Sequence, residues 1–169
     1  MIRAVTIAAV LAAATGTMQL HSSDFSAGAV LARVYMATNC GGRNRSPQLS
    51  WANPPPGVKS FALVMHDGDA PIAGGFYHWI AYNLPASTHD LPSGVELNAD
   101  QLGNTSLGKP GYYGPCPPAG PAHHYTWTLY ALGIAHIAAG MPLDDAQLQQ
   151  QIEGHVLARA AIEATASRP

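Results

Sequence analysis

Lys59-Ser60-Phe61-Ala62-Leu63-Val64-Met65, running straight into His66-Asp67-Gly68-Asp69-Ala70-Pro71, is the stretch on which the reading of the fold turns. A short apolar run that ends in turn-forming residues suits a buried strand. Just upstream, Asn53-Pro54-Pro55-Pro56-Gly57 can be neither helix nor central strand, because each proline lacks an N–H and restricts the residue before it. Downstream, Tyr77 to Leu84 predicts a second strand, with Tyr77, Trp79, Ala81 and Asn83 on one face and His78, Ile80, Tyr82 and Leu84 on the other. Tyr125 to Leu132 is rich in β-formers and predicts a third, and the alternation from Val30 to Met36 predicts an early strand before a turn at Thr38 to Gly42. The 17 glycines and 14 prolines fall between these runs, the punctuation of a loop-rich β protein. Only Leu143 to Glu153 reads as helix, with Asp144 and Asp145 at its start, Leu148 and Ile152 on its apolar face and Gly154 at its end. Periodicity leaves Val156 to Ala164 open between helix and strand.

The chain begins with one basic residue, Arg3, followed by an uncharged Ala-, Val-, Ile- and Leu-rich run from Ala4 to Met18, the layout of a secretory signal peptide. The run is shorter than the roughly 20 apolar residues a transmembrane helix needs. Residues 1–20 are therefore expected to be a leader, cut between Thr15 and His21, and residues 21–169 a single exported domain. About 150 residues suffice for one core. Charged residues make up 11% of the chain and apolar ones 47%, against typical values of roughly 25% and 45–50%, so the chain is neither disordered nor a polyelectrolyte. A formal net charge of −2, with eight dispersed Lys and Arg, lacks the basic footprint of a nucleic-acid binder or a polybasic membrane surface.

The chemistry-bearing residues fall in loops and strand ends: His66-Asp67-Gly68-Asp69-Ala70-Pro71, His78-Trp79, Gly114-Pro115-Cys116-Pro117-Pro118 and His123-His124-Tyr125. Carboxylates, imidazoles and a phenol held by Pro and Gly loops are the parts of a small polar pocket. Together with Ser46-Pro47-Gln48-Leu49-Ser50-Trp51, these blocks stand in the order seen in phosphatidylethanolamine-binding proteins, and the chain most resembles the bacterial, Raf-kinase-inhibitor-like branch from about Phe25 to Ala166. The resemblance implies a mainly β fold, two antiparallel sheets in a Greek-key β-sandwich with C-terminal helical elements, and a final strand within Val156 to Ala164. It implies a shallow pocket for phosphate-like groups, such as a phospholipid headgroup, lined by Asp67, Asp69, Pro71, His78, Trp79, Gly114, Pro118, His123 and Tyr125. No cofactor and no metal are implied. Some family members are described as inhibitors in kinase pathways or of proteases, so a protein partner is a further expectation.

The pattern departs from the family at Asp67-Gly68-Asp69, usually Asp-Pro-Asp, and at His124, usually Arg. The family turn makes Ala70-Pro71 a candidate cis peptide. The fold brings the loops of Cys40 and Cys116 to one end, and with an oxidising compartment this implies a disulfide between them; two buried, reduced cysteines are the rival. Asp67 cannot meet an anion as a bare carboxylate, so its expected role is to stand behind a histidine and orient it. Imidazolium would supply the donors an anion needs.

Ordinary explanations stand beside these. His66 and His124 face away from the pocket if alternation holds, Asp69 can cap its own turn, and Trp51, Trp79 and Trp127 suit the core. Two other functions use the same cluster. A hydrolase would use His78 or His123 as base, but no Gly-x-Ser-x-Gly elbow is present and prolines hem Cys116. A metal site of His66, His78, His123 and Asp67 has permissible ligand types without short ligand spacing.

Overall fold

The computed structural model describes residues 16–168; most of the expected leader lies outside them. Strand β3 (Ser60–Asp67) is buried along nearly its whole length and is the middle of a five-stranded sheet. That position explains its continuous apolar run: both faces are covered, so neither can be polar. Its neighbours are β4 (Phe76–Pro85) and β7 (His123–Leu132), and the sheet is completed by β6 (Leu102–Gly103) beyond β4 and β8 (Val156–Ala166) beyond β7. A smaller sheet joins β1 (Gln19–His21), β2 (Leu49–Ala52) and β5 (Asp90–Leu91), and every pairing in both sheets is antiparallel. The architecture is mainly β, as expected, with one short helix.

One face of the large sheet, carrying Phe61, Leu63, Met65, Trp79, Trp127 and Leu129, shares a core with Leu20, Leu49, Trp51 and Leu91 of the small sheet. The other face presents Ala62, Val64, Ile80 and Tyr82 to Ile137, Leu143 and to Leu148 and Ile152 of helix α1 (Asp145–Ile152). Leu148 is fully buried, so its truncation to alanine should cost about 2–5 kcal/mol. The helix starts where the sequence places it because Asp144 caps it: its carboxylate accepts from Gln147 N–H while the Gln147 side chain accepts from Asp144 N–H. Such a reciprocal cap contributes about 1 kcal/mol.

Val156–Ala166 is strand throughout, pairing with β7 along its length except for a bulge at Leu157. The expected early strand at Val30 to Met36 does not form. Only Val30 bridges the sheet edge, at Thr165, and the chain then turns through a single 3-10 turn at Arg33–Tyr35. Leu31, Tyr35 and Met36 are all buried there, a spacing that strand alternation cannot satisfy.

Strand β4 also departs from simple alternation. Met65 pairs with Trp79 but His66 pairs with Tyr77, which leaves His78 as an unpaired bulge residue. A bulge re-aims the side chains around it, and here it turns His78 toward the side of the sheet that holds Phe76 and Trp79, instead of the opposite one. The local backbone is fixed from outside the sheet, with Tyr113 N–H donating to the His78 carbonyl at 2.8 Å.

Candidate functional site

The site grows from one rung of the large sheet. Phe76, Asp67 and Tyr125 are direct partners across β4, β3 and β7. Strand alternation puts His123 on the same face as Tyr125, and the bulge brings in His78. Two loops close the space: Ala70, Pro71 and Ile72 after β3, and Cys116, Pro117 and Pro118 before β7. Together these residues line a cavity of about 150 Å³ that opens to solvent.

Asp67 is buried, and both of its oxygens are used. Oδ1 accepts from Asp69 N–H at 2.9 Å, and Oδ2 is 2.8 Å from His123 Nδ1. The carboxylate can only accept from Nδ1–H, so it fixes the ring's orientation and leaves Nε2 as the histidine's free position. His78 is held differently. Its Nδ1 lies 2.7 Å from the Tyr113 carbonyl, so Nδ1–H donates there. Burial pushes its pKa down from 6.5 to about 4, against the opposing pull of the Tyr113 carbonyl and the Asp67 charge. Near neutral pH His78 is thus an uncharged imidazole whose Nε2 is an acceptor, a correction to the cationic donor expected from sequence. The Tyr125 hydroxyl is buried beside the Asp67 carboxylate but makes no well-formed hydrogen bond. Burial first, and the Asp67 charge second, hold its pKa well above the usual value, so it stays a neutral phenol. Phe76 packs against His78 with ring centroids 4.5 Å apart, and Tyr125 meets the same ring edge-on at 5.2 Å.

Of the residues expected from sequence, Asp67, Pro71, His78, Pro118, His123 and Tyr125 come together around the cavity, while Asp69, Trp79 and Gly114 do not line it. Asp69 Oδ2 instead accepts from both the backbone N–H and Nδ1 of His124, at 2.8 Å each, on the exposed side of the loop. That contact raises the His124 pKa and lowers that of Asp69. Trp79 is buried in the core, edge-on to Tyr112 at 5.6 Å. Gly114 lets its loop pass against the backbone of Tyr35 to Ala37, where any Cβ would collide with the Tyr35 carbonyl. His66 faces away, stacked on Tyr77 and bonded through Nε2 to the Gly74 carbonyl at 2.8 Å, so the four-ligand metal set is not assembled. The Ala70–Pro71 peptide is trans, not cis. Its loop turns back instead at Gly74 and Gly75, both with positive φ, and a Cβ on Gly75 would strike the Asp67 carbonyl and the His66 ring.

The sequence reading missed Phe76, Ile72, Pro117, Cys116 as a wall residue, and the Tyr113 carbonyl. Phe76 was within reach, since it precedes His78 by two residues on a strand; a backbone carbonyl leaves no signature in residue type. Cys40 and Cys116 are joined in a disulfide, with Cα atoms 5.5 Å apart. Among the described residues no helix is long and apolar enough to cross a membrane.

Comparison with known proteins bears on this geometry. The family model for phosphatidylethanolamine-binding protein matches residues 21–167. YbhB of Escherichia coli (strain K12) is 36% identical over 155 residues, covering 87% of this chain and 98% of its own. A relative from Aquifex aeolicus (strain VF5) is 35% identical, covering 86% of this chain and 85% of its own. The crystal structure of E. coli YbcL, described as a member of the mammalian PEBP family, superposes with a TM-score of 0.84 at 30% identity, over 91% of this chain and all of that one. The chain therefore belongs to the phosphatidylethanolamine-binding protein family.

Proposed function

We propose that this chain is an exported binding protein whose cavity takes a phosphate-like group, carried by a phosphorylated small molecule, a lipid headgroup or a partner protein. The observation that carries the reading is that three polar groups around one small cavity have no well-formed protein hydrogen bond: the Tyr125 hydroxyl and the Nε2 atoms of His78 and His123. The phenol donates one hydrogen bond to a phosphate oxygen. His123, its Nδ1–H held by Asp67, donates a second through Nε2–H whenever the ring carries both protons. Neutral His78 can only accept, so the phosphate group must supply a P–OH, which a phosphomonoester headgroup offers and a phosphodiester headgroup does not. A phosphate or phosphomonoester monoanion meets all three demands. Pro71, Phe76 and Pro118 offer apolar contact to whatever the phosphate is attached to.

Charge-assisted hydrogen bonds contribute roughly 1.5–3 kcal/mol each, and two or three must first offset several kcal/mol of association cost, so bare phosphate should bind in about the micromolar to millimolar range. Calorimetric titration of inorganic phosphate and of phosphoethanolamine at pH 5.5 and pH 8.5 tests the reading. Tighter binding at pH 5.5, weakened several-fold by His123→Ala and by His78→Ala, supports it. Equal affinity at both pH values, or indifference to both substitutions, removes it. Zinc binding with no phosphate binding would favour the metal reading. Export is tested by N-terminal sequencing of the secreted protein. A mature terminus within the window from Thr15 to His21 is expected, at its upstream end, because Met18 and Leu20 are buried in the shared core.

A further inference from the structure

The disulfide stands between two cavities. Cys116 is half-buried and lines the cavity described above, next to Pro117 and Pro118. Cys40 is buried and lines a second cavity of about 210 Å³ with Leu31, Arg33, Met36, Ser167 and Arg168. In that second cavity Arg168 Nη1 is 3.6 Å from Cys40 Sγ, and the Arg33 guanidinium lies over Gly41, the residue after Cys40. Among the described residues no carboxylate lines the space and neither arginine makes an ion pair. A guanidinium set against one sulfur of a cystine is placed to stabilise the thiolate that reduction would leave on that sulfur.

We propose that Cys40–Cys116 is a thiol–disulfide exchange site that opens into the binding cavity and serves dithiol reductants. A thiolate of the dithiol enters from the cavity and attacks Cys116 Sγ. The new S–S bond forms there, the Cys40–Cys116 bond breaks, and the electron pair leaves with Cys40 as a thiolate facing Arg168. The dithiol's second sulfur, as thiolate, then attacks its own sulfur in the mixed disulfide and expels Cys116. The dithiol ends as a disulfide, and the protein has gained two electrons and, once both thiolates protonate, two protons. Exchange is faster when the leaving thiolate is stabilised, and the Arg168 guanidinium at Cys40 Sγ favours Cys40 as the leaving group and attack at Cys116.

The same bond holds one wall of the binding cavity. Up to Pro115 the loop is anchored without it: Asn44 Nδ2 donates to the Tyr112 carbonyl, Gly114 N–H donates to Asn44 Oδ1, and Ala37 N–H donates to the Pro115 carbonyl. The next anchor is the bridge between Ala119 and Arg168. Between these, Pro117 and Pro118 have no N–H to give, and the disulfide ties Cys116 to the Thr38–Cys40 turn. Reduction therefore loosens the Cys116–Pro118 wall. The exchange chemistry itself requires only the open cavity, not an anion in it.

The test is the rate at which dithiothreitol reduces the folded, full-length chain, followed by rapid alkylation and mass analysis, with oxidised-glutathione trapping of the reduced protein to map the mixed disulfide. The expected result is a rate that rises linearly with dithiothreitol, a glutathione adduct on Cys116, and a several-fold slower reduction in Arg168→Gln. The wild-type dependence on dithiothreitol stands alone should a variant fail to fold. A rate that saturates at the rate of global unfolding, or an adduct confined to Cys40, overturns the proposal whether or not phosphate binds.

Discussion

Acidification from pH 7 to below pH 4 should cost the folded chain about 3 kcal/mol through His78 alone. Burial holds this ring's pKa at about 4 in the folded chain, against 6.5 for the free side chain. As the pH falls below 6.5 the unfolded chain takes up the proton first, while the folded chain resists until about 4. Through that window the unfolded state binds more protons, so stability is lost as the pH falls. The gap between the two pKa values, at about 1.4 kcal/mol per pH unit, gives the figure above, and little of it is lost to solvent screening because His78 is only 4% exposed. Urea unfolding of the wild type and of His78→Asn at pH 7, 5.5 and 4.5 isolates the effect. Asn keeps an N–H for the Tyr113 carbonyl but does not titrate, and the carboxylates that titrate in both proteins cancel in the difference. The variant should be the less stable protein at pH 7, with the gap closing by about 2 kcal/mol or more by pH 4.5. Nitrogen-15 NMR should show His78 protonated on Nδ1 alone at pH 6. A gap that does not change with pH, or a His78 that titrates near 6.5, would refute the reasoning.

Tyr125→Phe should leave unfolding free energy unchanged or slightly higher, because the hydroxyl is buried and makes no well-formed hydrogen bond, while phosphate affinity by calorimetry drops several-fold. Asp67→Asn presents an amide N–H where His123 now finds an acceptor, so NMR should show the His123 proton moving from Nδ1 to Nε2, with loss of the acid-side gain in binding. Glycerophosphoethanolamine, a diester with no P–OH, should bind several-fold more weakly than phosphoethanolamine at pH 5.5, and the difference should shrink above the monoester's second pKa of about 6. If the diester binds as tightly at both pH values, His78 is not an acceptor for the ligand.

What could be seen in the sequence and what could not follow from how each element is specified. β3 and β7 were legible because residue type and burial agree along them, and the helix because Asp144 and Gln147 make a cap whose chemistry is local. The stretch at Arg33–Tyr35 reads as strand because a short run of mixed residues fits several periods, and only the packing that buries Leu31, Tyr35 and Met36 together decides for the 3-10 turn. The cluster of Asp67, His123 and Tyr125 was legible in part, because period-two alternation put His123 with Tyr125 and set His124 aside. Strict alternation in β4 fails at the residue that matters most. It sets His78 opposite Trp79, and so predicts that if Trp79 is core, His78 faces the helix side. The extra residue at His78 cancels that rule, bringing the ring to the cavity while Trp79 stays in the core beside it. Nothing in the residues from Phe76 to Ile80 announces a bulge, since it is set by pairings to β3 and by a hydrogen bond from Tyr113, thirty-five residues away. That same distant segment supplies the carbonyl that fixes the His78 tautomer. The proton state on which ligand choice depends is therefore written in tertiary contacts to main-chain atoms, which no side-chain pattern encodes.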